Sequence, residues 1–136
     1  MSARSKARKR ALDVLFEADV RGTDPVSMVA ERTTAETLPV PPYAITLVEG
    51  VTEHRQRIDE ILRSYVEGWT LERLPAVDRT ILRIGVYELL WVDQVPHAVA
   101  INEAVELARS LSTEESPRFV NGVLARILAA GPVVRG

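Results

Sequence analysis

The 136 residues are 46% hydrophobic with a net charge of -2, enough apolar material for one compact domain and too little for two ordinary ones. Cysteine is absent, which removes a disulfide framework, a thiolate zinc site and a cysteine nucleophile together, and only His54 and His97 remain as imidazoles. No apolar run approaches the roughly 20 residues that span a bilayer, so a cytoplasmic chain with no membrane contact is expected.

Helical periodicity runs through the chain, and no segment alternates convincingly as a strand. The first helix is expected from about Ser5 to Val20, with Ala7, Ala11, Val14 or Leu15, and Ala18 as its apolar stripe. Gly22 and Thr23 end it, and Asp24 with Pro25 opens a second, shorter helix to about Thr37 as N-cap and first helical residue. Val26, Val29 and Ala30 are its expected buried positions. Pro39, Pro41 and Pro42 break the chain, because proline lacks an amide hydrogen and restricts the residue before it. One long helix should then run from Pro42 to Tyr65 or Val66, burying Ile45, Val48, Thr52, Ile58, Ile61, Leu62 and Tyr65. Gly68 stops it.

A turn from Trp69 to Pro75 leads to a helix from Ala76 to Trp91 or Val92. Its apolar positions Val77, Ile81, Ile84 or Gly85, Leu82, Val86, Leu89 and Leu90 cover too much of its circumference for a surface helix, so it belongs at the centre. Pro96 separates it from a helix at His97 to Leu111, inward-facing through Ile101, Ala104, Val105 and Ala108. Ser116, followed by Pro117, is placed to cap a last helix that buries Val120, Val123, Leu124 and Ile127. Residues 131–136 read as a frayed end. The expected architecture is all-α, a compact bundle of six main helices forming a single domain over residues 1–136.

Charge is unevenly spread. Arg4, Lys6, Arg8, Lys9 and Arg10 put five cations and no carboxylate into the first ten residues, while the other 126 residues carry 12 basic and 19 acidic side chains. A positive arm on an acidic body attracts phosphate at one edge and repels it elsewhere, the footprint of a directed nucleic-acid contact. The competing reading is a solvated basic terminus. No basic recognition helix follows a short turn, which argues against direct DNA binding.

Catalytic chemistry finds little support. There is no glycine-rich phosphate loop, dinucleotide fingerprint or HExxH pair, so no cofactor and no metal are expected. Glu103 and Glu106 read as solvated carboxylates. Ser112, Thr113 and Ser116 lack a neighbouring histidine base, and Trp69, Tyr65, Tyr87 and Trp91 read as packing residues. Asn102 and Asn121 are poor helix-interior residues, which suggests hydrogen bonds that orient neighbouring helices, with Gly122 permitting close backbone approach. Phe119, in the first turn of the last helix, is either core or an exposed anchor.

Three strings carry a resemblance. They are DRTILRIGVYEL from Asp78 to Leu89, VAINEAVELA from Val99 to Ala108, and FVNGVL from Phe119 to Leu124. In that order and spacing, with the arm ARKRAL from Ala7 to Leu12, the chain closely resembles the NusB family of transcription antitermination factors. The resemblance implies an all-helical fold and a non-enzymatic role. Its members bind the boxA segment of nascent RNA together with NusE, a small-subunit ribosomal protein. The pair joins the other Nus factors and RNA polymerase and suppresses premature termination, notably in ribosomal RNA synthesis. The same fold serves as the RNA-binding part of certain ribosomal RNA cytosine methyltransferases, whose cofactor motifs this sequence lacks.

Transferred to this sequence, the resemblance places Arg4, Lys6, Arg8, Phe16 and Arg79 at the RNA edge, with Lys9 and Arg10 as further cations of the arm. The cations would neutralise phosphate and Phe16 would pack on a base or sugar. Ser5 stands where family arms often have another arginine, and Phe16 where a tyrosine is common. Asp78, Glu115 and Phe119 are the implied protein-partner contacts, Phe119 as apolar anchor and the carboxylates toward basic groups. Family members are monomers or homodimers, so the alternative is a protein-binding scaffold or a homodimer whose RNA surface is covered or unused.

Overall fold

The computed structural model describes residues 2–35 and 39–131. The expected end of the second helix at Thr37 and the stretch 132–136 lie outside the described residues. Among the described residues every regular element is helical: α1 (Ala3–Arg21), α2 (Pro25–Ala35), α3 (Pro42–Glu53), α4 (Arg55–Tyr65), a 3₁₀ turn (Leu71–Arg73), α5 (Ala76–Trp91), α6 (His97–Leu111) and α7 (Ser116–Ala129). The all-α class is as expected. The helix count differs because the long helix from Pro42 is two, interrupted at His54 with φ -100° and ψ 11°.

The chain forms two compact units, Met1–Glu53 and His54–Gly136. In the first, Ser2 opens α1 by accepting the Ser5 amide on its hydroxyl at 3.0 Å. Gly22 closes it with φ 71°, a left-handed conformation that glycine adopts without steric cost. Asp24 caps α2: its carboxylate accepts the amides of Val26 and Ser27 at 3.3 Å and the Ser27 hydroxyl at 2.7 Å. The three helices pack pairwise. Ala7, Ala11, Val14, Leu15 and Ala18 are buried as expected, and so is Leu12. Among the described residues of α2, Val29 is buried and Val26 half-buried; Ala30 is exposed, because so short a helix presents one turn inward and the next residue lies about 100° round it. On α3 the buried set is Ala44, Leu47, Val48, Gly50 and Val51, whereas Ile45 and Thr52 lie at the margin.

In the second unit α5 is central, in contact with α4, α6 and α7 and with ten of its sixteen residues buried. A Cβ added at Gly85 would stand 2.7 Å from Leu124 Cδ1, so α5 and α7 pack tightly there. Gly122 brings no such approach: its added Cβ would meet only the Arg126 guanidinium, at 3.3 Å. Val120, Val123, Leu124 and Ile127 are buried as their spacing predicts. Ion pairing is built into this core. Arg83 donates to both oxygens of Asp59, at 2.9 and 3.2 Å, and Arg55 adds a third bond at 3.0 Å. The carboxylate, shared by two guanidiniums, ties α4 to α5.

Candidate nucleic-acid and partner interfaces

The N-terminal cations divide once α1 is folded. Residues 4 and 8 are one turn apart, and both guanidiniums lie over the ring of Tyr43 on α3, at 4.8 Å for Arg4 and 5.7 Å for Arg8. Arg4 is exposed, whereas Arg8 is 2% exposed. Arg8 is thus enclosed against the Tyr43 ring, while Arg4 on the same ring stays open to water. Lys6 is exposed. Lys9 donates to both Asp13 oxygens, at 2.7 and 2.8 Å, and Arg10 is half-buried. Arg4 and Lys6 are therefore the outward cations of the arm. Phe16 is half-buried on α1. Tyr43, which orders two of the arginines, escaped sequence reasoning because nothing local links it to the arm.

Arg79 belongs to the second unit. It is half-buried, and its Nη1 donates to the carbonyl oxygens of Leu74 at 3.0 Å, Glu72 at 3.2 Å and Leu71 at 3.4 Å. That guanidinium holds the 3₁₀ turn in place, which fixes the segment after Gly68.

Asp78, Glu115 and Phe119 are brought together. They line a groove of 440 Å³ with Trp69, Leu74, Pro75, Thr113, Glu114 and Ser116. Asp78 is buried, and its two oxygens accept the hydroxyls of Ser112 at 2.6 Å and Ser116 at 2.9 Å. Asp78, implied by the resemblance as a partner contact, clamps the turn between α6 and α7. Ser116 correspondingly does not cap α7, since its hydroxyl is used on Asp78 and the cap position falls to Glu115. The acidic groups facing water are Glu114 and Glu115. Phe119 is half-buried, and Trp69, expected to pack inward, is 54% exposed at this groove. The groove thus offers two aromatic surfaces beside two carboxylates, a match for an apolar side chain flanked by basic ones.

The remaining aromatics are not scattered. His54 stacks on Trp91 with centroids 4.5 Å apart, and Tyr87 lies 6.1 Å from Trp91 at an interplanar angle of 15°. Tyr87 and Trp91 are four residues apart on α5, a spacing that does place them on one face. Among the described residues no cluster of histidine or acidic side chains could hold a metal ion, and no helix is long and apolar enough to cross a membrane.

The sequence profile of the NusB family matches residues 5–129. Transcription antitermination protein NusB of Saccharopolyspora erythraea is 62% identical over 137 residues, covering 99% of this chain and 93% of that protein. Among solved structures, T. maritima NusB superposes with TM-score 0.83 at 34% identity, covering 94% of this chain and 92% of that one. A chain from a complex of the antitermination factors NusB and NusE with dsRNA gives TM-score 0.82 at 31% identity, covering 93% of this chain and 96% of that one.

Proposed function

The chain belongs to the NusB family, and from that membership we propose that it is a bacterial transcription antitermination factor acting on boxA RNA in company with NusE. The single observation that carries the reading is the cationic first helix: five basic residues and no acid in the first ten, with Arg4 and Lys6 facing water. On an otherwise acidic chain these charges select where an RNA phosphate can settle. The 440 Å³ groove supports the second contact, with Phe119 and Trp69 receiving an apolar anchor of NusE and Glu114 and Glu115 favouring its basic neighbours. Asp78 serves that contact indirectly, by holding the turn that carries both glutamates. The pair would join the other Nus factors and RNA polymerase in the cytoplasm and suppress premature termination of ribosomal RNA synthesis, with no chemical step of its own.

Titration of boxA RNA and a scrambled RNA, with and without NusE and at several salt concentrations, tests this. Preferential boxA binding that strengthens with NusE is the expected result. Equal, strongly salt-dependent binding to both RNAs would reduce the arm to a non-specific phosphate contact. No binding to either would favour a protein scaffold or a homodimer that covers the RNA surface.

A further inference from the structure

Asn102 and Asn121 are exposed in helix interiors, and their side chains make no hydrogen bond among the described residues. Asparagine at such positions costs helix stability relative to alanine, and neither residue orients a neighbouring helix in return. Asn121 lines a groove of 600 Å³ between α6 and α7, together with Val105, Arg109, Ser112, Pro117 and Arg118. On α6, Asn102 precedes Val105 by three residues and Arg109 by seven, the same face of the helix, so it continues that line.

Arg118 is exposed and forms no ion pair among the described residues. Arg109 pairs with Glu106, but both side chains are largely in water, where such a pair contributes little and yields readily to another anion. Among the described lining residues Glu114 is the one carboxylate. Two guanidiniums, a carboxamide and an apolar wall of Val105 and Pro117 match the parts of a nucleotide. The guanidinium forks suit phosphate, the amide pairs its donor and acceptor with a base edge, and the wall covers sugar or base.

We infer that the α6–α7 groove is a second RNA contact, separate from the arm, that takes a nucleotide of a single strand with Arg109 and Arg118 on phosphate and Asn121 on a base edge. It rests on the RNA-binding role proposed above. An acidic peptide would use the arginines too, and the test separates the two.

Fluorescence anisotropy of labelled single-stranded boxA RNA with the full chain is compared for Arg118→Ala, Asn121→Ala and Lys6→Ala. Circular dichroism checks folding, which these exposed positions should preserve. Asn121→Ala is expected to weaken binding about tenfold, the loss of one paired base contact. Arg118→Ala should lower the magnitude of the log–log salt slope by about 0.7, one phosphate contact on a single strand. If both groove variants bind RNA like the parent while Lys6→Ala weakens it, the groove proposal fails and the arm stands. Unchanged RNA binding with lost NusE binding assigns the groove to a peptide and overturns the proposal. A parent chain that binds no RNA sinks both readings.

Discussion

Arg4 and Arg8 share one tyrosine face but are placed to do different work. Arg8 is enclosed beside Tyr43, so its guanidinium and alkyl stem contribute to packing, and Arg8→Ala should lower stability by about 2 kcal/mol with a shifted urea midpoint. Arg4→Ala should leave that midpoint within about 0.5 kcal/mol of the parent and weaken RNA binding instead. A common loss of RNA affinity with unchanged stability in both variants would contradict the division. The cations themselves were legible in the sequence. Which of them faces water was not, because the burial of Arg8 depends on a ring more than thirty residues away. Asp78 carries the same lesson, since its acidic character was plain but its two serine partners lie on the turn between α6 and α7 and at the start of α7.

Helix ends read well from sequence where a local group fixes them. Gly22, Asp24 with Pro25, Pro42 and Pro96 each act within a turn of the end they set, and α6 begins and ends where periodicity and Pro96 put it. The break at His54 was hidden. Buried Val51 and Ile58 are seven residues apart, two helical turns, so the apolar pattern passes through the interruption in phase. The residue at the break also sits in a near-helical region of backbone space, with no proline or glycine to announce it. At the start of α2 the Ser27 hydroxyl, ahead of the Val26 and Ser27 amides, holds the Asp24 carboxyl below the usual aspartate value of 3.8. A depressed carboxyl stabilises the fold above its unfolded pKa, and the contribution is lost as pH falls through the folded one. NMR titration should therefore find Asp24 ionising below 3.8, with Ser27→Ala moving it upward; an unmoved titration would remove the hydroxyl as the cause. On the turn between α6 and α7, Asp78→Ala leaves two serine hydroxyls without their acceptor and should cost about 1–3 kcal/mol in chemical denaturation. It should also weaken NusE binding through the loosened glutamates, and unchanged stability would show that the clamp does not hold the turn.

For the molecule as a whole, a net charge of -2 conceals a basic arm and an acidic remainder. RNA binding should accordingly fall with salt with a log–log slope of at least about -1.4 in magnitude from Arg4 and Lys6 alone, each phosphate contact adding about 0.7. A flat response would mean that RNA is held without the arm. Fold class and central helix were readable from composition and periodicity. The grooves were not, since each is assembled from residues on separate helices. The two tryptophans that result are unlike each other: Trp69 stands in water at the Phe119 groove, while Trp91 is covered by an imidazole at stacking distance. An indole in water emits to the red of a half-buried one, so the red edge of the fluorescence spectrum belongs mainly to Trp69, and the chain carries its own optical gauge of whether that groove is filled.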